Sequence, residues 1–339
     1  MGTVPAARVL GSGHCLPDEI VANGALEARV GQSSRWIEER TGIRQRHFAS
    51  ATTATSDLAA IACERALVDA GVRAEDVDLI VVGTVTPDMQ APATATFLQA
   101  RIGANRAIAF DVSAACAGFV YALSIVDKFY RAGGVRYALV VGAELLSRSL
   151  DFSDPNTAIL FGDGAGAIVL GPAGVDGPRA ASGQPRGVLA TRLYSDGTLT
   201  HALSIPGSGT RRAPLPHERE GAKRATVQMH GQELFKVAVK NLHHASQAVL
   251  DDEGLHVDTI DWLLPHQANL RILEFAMKRI GVPRHKLLTN IEEVGNTSAA
   301  SIPILWDRAR RDGRIRDGDL VLICGLGAGV VWGSALVRH

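Results

Sequence analysis

The chain repeats itself, and that repeat restricts its fold more than any other feature. Gly71 stands seven residues before Asp78-Leu-Ile-Val-Val, and Gly254 stands the same seven before Asp261-Trp-Leu-Leu. From Asp78 to Asp111 is 33 residues, and from Asp261 to Glu293 is 32. Each second acid is expected to lead through a strand and a turn into a helix rich in small residues. An apolar strand then follows, at 137–141 in one copy and 319–323 in the other. These strands are continuous Val/Ile/Leu runs rather than alternating ones, the pattern of parallel strands covered on both faces. Two such βα units predict an α/β chain of duplicated halves. The Gly/Pro stretch at 171–178 marks the expected boundary, giving halves at 1–172 and 173–339. Joined face to face, such halves bring equivalent strand-end turns around one pocket. A second irregular stretch, 206–216, has no periodicity. It reads either as a surface loop covering a site or as a passive insertion.

Composition removes several function classes. Lys plus Arg and Asp plus Glu both total 35, so the net charge is zero, which argues against a dedicated nucleic-acid binder. The four cysteines (Cys15, Cys63, Cys116, Cys324) lie far apart with no Cys-x-x-Cys, so neither zinc nor a disulfide framework is expected. The adjacent His243 and His244 point in different directions on a helix and have no further ligand pattern around them. No basic segment followed by a long apolar stretch opens the chain, and no apolar run approaches the ~18 residues of a membrane span. A soluble cytoplasmic protein is the expectation.

Three segments carry chemistry. Cys116 sits in Phe110-Asp-Val-Ser-Ala-Ala-Cys-Ala-Gly-Phe119, between an apolar run and the start of a helix, with small residues that let another molecule reach the sulfur. At a helix N-terminus the macrodipole favours thiolate, so Cys116 reads as a nucleophile; it reads equally as a buried structural cysteine. In Leu263-Leu-Pro-His-Gln-Ala-Asn-Leu-Arg271, Pro265 suits a first helical position, which would put His266 near a helix N-terminus and keep its imidazole neutral. In Glu293-Val-Gly-Asn-Thr-Ser-Ala-Ala-Ser301, Asn296 offers an amide donor where a strand turns into a helix. Singly, the histidine also reads as a core residue and the asparagine as turn chemistry.

Taken together, these segments resemble β-ketoacyl-acyl-carrier-protein synthase III, a condensing enzyme of the thiolase-like superfamily. Trp36-Ile-Glu-Glu-Arg-Thr-Gly-Ile-Arg44, Phe161-Gly-Asp-Gly-Ala-Gly-Ala167, Pro265-His-Gln-Ala-Asn269, Gly295-Asn-Thr-Ser-Ala-Ala300 and Trp332-Gly-Ser-Ala-Leu-Val337 look like family segments in family order, and they cover essentially the whole chain. The resemblance implies an α/β, thiolase-like, duplicated αβαβα layered fold, with two mainly parallel or mixed sheets sandwiching central helices, as a homodimer. It implies a decarboxylative Claisen condensation of an acyl-CoA primer with malonyl-acyl carrier protein, through an acyl-cysteine, to initiate fatty-acid or polyketide synthesis. Cys116 would be the nucleophile, with His266 and Asn296 as neutral donors to the malonyl thioester oxygen. Backbone N–H groups of Cys116 and Ala328 would form a second oxyanion hole. Trp36, Arg40, Gly231, Gln232 and Asn269 would contact CoA and pantetheine, and Arg271, Lys236, Lys278 and Arg279 would meet the acidic carrier. Trp36 and Arg40 also read as packing, and the basic residues also read as a solvated face. Ala91, Phe161 and Leu326 would shape the acyl pocket. No cofactor is implied beyond the CoA thioester substrate.

The match departs in places. Pro155 stands where many relatives carry an Arg that clamps the CoA adenine, and Gln232 replaces an Asn. Ala91 replaces a bulky aromatic that in some relatives reaches across the dimer and closes the acyl pocket, so a roomier primer pocket is expected, and Leu326, Ala328 and Val330 replace a stretch richer in Gly and Phe, so the pocket wall differs too. Gly325-Leu-Gly-Ala-Gly329 is followed by only ten residues, too few for a dinucleotide-binding βαβ unit. The alternatives are a starter-unit condensing enzyme or acyltransferase of secondary metabolism, a thiolase using Cys324, and a non-catalytic partner subunit. Cys324 falls one residue out of register for the thiolase reading, and the retained Cys116, His266 and Asn296 argue against the last.

Overall fold

The computed structural model describes residues 6–173, 183–206, 210 and 226–339. Most of the expected half boundary and of the irregular 206–216 stretch lies outside them. In chain order the first half supplies β1 (Ala7–Cys15), β2 (Glu19–Ala22), α1 (Asn23–Val30), α2 (Ser34–Thr41), β3 (Gln45–Phe48), α3 (Thr55–Ala70) and β4 (Leu79–Gly83). It continues with α4 (Thr94–Ile102), β5 (Ile108–Val112), α5 (Gly118–Ala132), β6 (Ala138–Leu145), α6 (Pro155–Ala158) and β7 (Asp163–Pro172). The second half supplies β8 (Gly187–Ser195), β9 (Leu203–Ser204), β10 (Gln228–Met229), α7 (Gly231–Asp252), β11 (Trp262–Pro265), α8 (Leu270–Ile280) and α9 (Ile291–Val294). It closes with α10 (Ser301–Arg311), β12 (Leu320–Gly327) and β13 (Val331–Arg338).

A five-stranded mixed sheet in the order β1-β7-β6-β4-β5 uses only first-half strands, and a four-stranded sheet, β11-β12-β13-β8, uses only second-half strands. Helices α5 and α10 lie between them. Phe119, Val120 and Leu123 of α5 and Ile302, Leu305 and Trp306 of α10 share one core with Val81 and Val140 on one side and Val321 and Ile323 on the other. Outside the first sheet, α3 and α4 bury Ala59, Ala62, Ala66 and Leu98 against Ile80, Val82 and Leu139. Outside the second, α7 and α8 bury Leu242, Val249, Leu273 and Met277 against Leu322 and Leu336. The result is the five-layer αβαβα arrangement. Residues Leu79 to Val82 are all 0% exposed, as an uninterrupted apolar run demands.

The repeat seen in sequence is a repeat of hydrogen bonds. Gly71 and Gly254 end α3 and α7 with φ of 64° and 63°, the left-handed angle that glycine adopts without cost. The Asp78 carboxylate accepts from Arg136 N at 2.8 Å, holding the chain that starts β6. The Asp261 carboxylate accepts from Leu320 N at 2.8 Å and does the same for β12. Each half then enters its central helix through a one-turn 3₁₀ segment, Ala115–Ala117 or Ser298–Ala300, whose first residue has positive φ (45° at Ala115, 50° at Ser298).

One copied element differs from expectation. Between α8 and Asn296 no strand matches β5: a single bridge joins Leu263 to Leu287, and the short helix α9 follows. Glu292 and Glu293 in the first turn of α9 favour helix over strand there. Asp111 accepts from Thr94 N and Ala95 N to cap α4, whereas Glu293 ion-pairs with Arg308. Those two acids are therefore not equivalent in role.

Strand β6 of the first half meets the 3₁₀ turn of the second through a glycine. A β-carbon on Gly142 would lie 2.2 Å from the Ala299 carbonyl oxygen, a collision with backbone that no rotamer relieves. Gly142→Ala should lose about 1–3 kcal/mol through overpacking, read as a lower urea midpoint; an unchanged midpoint would contradict this packing.

Candidate active site

Strand β5 ends at Val112, and after two intervening residues the chain enters the Ala115–Ala117 turn that holds Cys116 ahead of α5. The β12–β13 hairpin closes over this turn: a β-carbon on Gly327 would lie 2.6 Å from Cys116 N. Cys116 is 6% exposed, and burial pushes its thiol up to about 12. The polar side chain of Ser298 opposes that shift, and the negative charge of Glu144 adds to it. The expected resting thiolate is thereby corrected. Removing the sulfur from water costs the anion more than the start of α5 returns, so Cys116 rests as a thiol.

Pro265 is not the first residue of a helix. It ends β11, paired with Cys324 of β12, and His266 N donates to the Cys324 carbonyl at 2.8 Å. Helix α8 starts four residues later, because the Asn269 side chain caps it by accepting from Arg271 N at 2.9 Å. His266 is neutral as expected but for another reason: burial holds its imidazole down to about 3. Its Nδ1 lies 2.7 Å from Ser301 Oγ. Asn296 follows Gly295, whose φ of 67° turns the chain out of α9. Its backbone is clamped to the neighbouring segment, N to Leu160 O at 2.9 Å and O from Gly162 N at 3.0 Å. Its Oδ1 accepts from Ser298 N at 2.9 Å, and its amide nitrogen has a long 3.4 Å contact to Ala268 O.

Cys116, His266 and Asn296 share the wall of one cavity of about 670 Å³. Arg40, Phe161, Gly231, Gln232, Lys236, Asn269, Arg271 and Leu326 line it too. Trp36 does not; it is half-buried on α2, with the Arg40 guanidinium 4.7 Å above its ring. Asn269 already donates to Arg40 O at 3.0 Å besides capping α8, so its amide also serves the fold. Ala328 is half-buried and not on the wall; Gly327 is the hairpin residue pressed against Cys116. Ala91 is exposed and away from this cavity, and Lys278 and Arg279 are exposed at the far end of α8. Cys324 is fully buried in β12, and burial pushes its thiol up to about 12. At the surface, His201, His230 and Glu233 bring ligand-type atoms within 4.8 Å of one another, although His201 and Glu233 already satisfy each other at 3.1 Å.

Sequence reasoning missed the polar residues behind this wall. Glu144, at the end of β6, is 0% exposed and accepts from Thr86 Oγ1 at 2.6 Å, Ser298 Oγ at 3.0 Å and Val85 N at 3.2 Å. Burial raises its carboxyl to about 7. The signal was a lone carboxylate ending the apolar run 138–145. Arg46, also 0% exposed, spans from Asn23 Oδ1 at 2.9 Å to Ile159 O at 2.8 Å and braces the segment that lines the cavity.

Two family models match this chain. One, described as 3-oxoacyl-[acyl-carrier-protein (ACP)] synthase III, covers residues 110–197, and its C-terminal counterpart covers residues 250–339. The β-ketoacyl-[acyl-carrier-protein] synthase III of Erythrobacter litoralis is 46% identical over 335 residues, which is 98% of this chain and 99% of that protein. That of Bordetella petrii is 46% identical over 344 residues and is covered in full. Among solved structures, the 3-oxoacyl-(acyl carrier protein) synthase III of Pseudomonas aeruginosa PAO1 has a TM-score of 0.88 at 39% identity, over 98% of each chain. The priming β-ketosynthase of the R1128 polyketide pathway has a TM-score of 0.90 at 34% identity, over 100% of this chain and 97% of that one. The layered fold is thus that of the thiolase-like condensing enzymes. The chain belongs to the β-ketoacyl-[acyl-carrier-protein] synthase III family of acyltransferases.

The folded His266 stays neutral down to about pH 3, while the unfolded residue takes up a proton below about 6.5. Falling pH therefore favours unfolding across that window. Between pH 7 and 5 the wild type should lose ~2 kcal/mol more stability in denaturant titrations than His266→Asn; equal losses would contradict the buried neutral imidazole.

Proposed function

We propose that the protein condenses an acyl-CoA primer with malonyl-acyl carrier protein through an acyl-Cys116 intermediate, opening a fatty-acid or polyketide chain. The carrying observation is that Cys116, His266 and Asn296, from three turns distant in sequence, share one cavity wall. Cys116 takes the acyl group and CoA leaves. The malonyl thioester then enters, loses carbon dioxide and becomes an enolate that attacks the acyl-cysteine. Decarboxylation itself generates the carbanion, so the wall needs donors rather than a base. When the Ser301 hydroxyl donates to Nδ1, the His266 proton sits on Nε2 as a donor, and the Asn296 amide is the second. Two neutral donors in a buried site stabilise a developing oxyanion strongly. Backbone N–H groups of Cys116 and Ala328 receive the acyl-cysteine oxygen in this reading.

Lys236 and Arg271 at the cavity, and Lys278 and Arg279 farther along α8, favour an acidic carrier. Trp36, with Arg40 stacked on its ring, leaves its second face for adenine, and Gly231, Gln232 and Asn269 border the path of the pantetheine arm. Pro155 opens α6 and offers no cation there, so delivery of the primer by a carrier protein stays as the second route. A starter-unit role in secondary metabolism is the second reading of pathway, favoured by the likeness to the priming ketosynthase. We take the working form to be a homodimer with two structural halves, 1–172 and 173–339, acting in the cytoplasm. Edge strand β5 leaves Ile108 57% exposed, a surface that a partner would cover. Among the described residues no helix is long and apolar enough to cross a membrane.

The test is turnover with an acyl-CoA and malonyl-carrier protein, following β-ketoacyl-carrier product by mass and released carbon dioxide. His266→Ala and Asn296→Ala should each lower condensation roughly 10²–10³-fold while leaving Cys116 acylation intact; turnover without carbon dioxide would sink the reading. In the proposed homodimer, position 91 would reach the partner subunit's acyl pocket, and with Ala91 there in place of a bulky aromatic, longer and branched acyl-CoAs should exceed acetyl-CoA in kcat/KM. A preference for acetyl-CoA would reject the roomier pocket.

A further inference from the structure

Beside the cavity, one cluster gathers atoms of the kind that bind metals. His201 stands just before β9, His230 just after β10, and Glu233 in the first turn of α7. One ligand-type atom from each lies within 4.8 Å of the others. His201 Nε2 and Glu233 Oε2 are 3.1 Å apart, although 32 positions separate the two residues in sequence. The two imidazoles meet edge to face, with ring centroids 5.7 Å apart.

Backbone contacts hold this cluster together. His230 N donates to Ala202 O at 2.8 Å, which ties His230 to the residue beside His201. Ala202 is fully buried, and the next residue, Leu203, pairs with Met229 in the β9–β10 ribbon. Leu234 N donates to His230 O at 3.1 Å, so α7 starts directly from that ribbon. The His230 side chain makes no capping hydrogen bond to α7 and is left for another partner. His201 and His230 are exposed and Glu233 is partly exposed, so an ion from solvent reaches all of them.

We propose that His201, His230 and Glu233 form a site for a divalent transition metal of the zinc class, which fastens the β9–β10 ribbon to the start of α7. Two imidazoles and a carboxylate are ordinary zinc ligands, and they leave the fourth tetrahedral position to water. Bonds of about 2.0–2.2 Å hold tetrahedral ligand atoms roughly 3.3–3.5 Å apart. The His201–Glu233 pair is already near that spacing. The remaining imidazole needs a shift of ~1.5 Å at most, which rotation of an exposed side chain supplies. The ion takes the place of the hydrogen between His201 Nε2 and Glu233 Oε2, and the neutral imidazole then carries its proton on Nδ1. The Glu233 carboxylate offsets the positive end of α7, which alone would repel a cation. Imidazole donors favour zinc, copper or nickel over magnesium or calcium. Leu203, Met229, Gly231 and Gln232, on the elements the ion would join, line the cavity, so the site sits at its rim. The site uses no cysteine and stands whether or not Cys116 is the nucleophile.

Calorimetric titration of the full chain, free of any affinity tag, with zinc chloride tests the site. A single ion per chain should bind. His201→Gln, His230→Gln and Glu233→Gln should each weaken it by more than the roughly 10-fold that changes outside the ligand shell cost. These side chains lie at the surface, so the metal-free urea midpoint of each variant should match that of the wild type. Cobalt(II) in place of zinc should give the d–d absorption of a tetrahedral nitrogen and oxygen set. It should lack the sulfur charge-transfer band that ligation by Cys116 would produce. Magnesium chloride should give no binding heat. No bound zinc, zinc affinity that the variants leave unchanged, a sulfur band with cobalt, or magnesium bound as tightly as zinc would each overturn the proposal.

Discussion

Ala299 turns its carbonyl oxygen toward Gly142, 2.2 Å from where any β-carbon would sit, and Gly327 meets Cys116 N with similar closeness. These backbone contacts fix how near the halves approach, and every side chain on the cavity wall inherits its position from that spacing. Cys116 follows a positive-φ alanine, and Asn296 precedes a positive-φ serine by two residues. Such angles persist only where the surroundings hold them. Here the surroundings are two sheets and two buried helices packed against the same pair of turns.

That burial sets the electrostatics as well. The cysteine, the histidine and the glutamate behind them are almost without solvent, and each is driven toward its neutral form. A neutral histidine and an asparagine amide match a reaction in which negative charge develops on an oxygen and no external base is needed. The same dryness keeps the proton on the Cys116 thiol.

The fold was legible because the duplication is written in local signals. Gly71 and Gly254 end helices, Asp78 and Asp261 fasten the next strands, and the apolar runs after them fill a sheet covered on both faces. The cavity residues were legible from the setting of Cys116, His266 and Asn296. Boundaries were less so: Pro265 looked like a helix start, whereas Asn269 was the better cap. The acid pair 292–293 stood where a strand was expected and made a helix turn instead. The charge state of Cys116 was misjudged because the dipole of α5 is a local feature and burial is a global one. The Ser298–Glu144 contact joins residues 154 apart, a pairing that only the joining of the halves creates.

The central claim, that Cys116 is the residue that takes the acyl group, is tested most directly by intact mass. The protein and its Cys116→Ala variant are each incubated with a panel of acyl-CoAs. The account predicts a thioester adduct of acyl mass on the wild type and none on the variant. An adduct that survives Cys116→Ala, or a wild type that no acyl-CoA modifies, would contradict it.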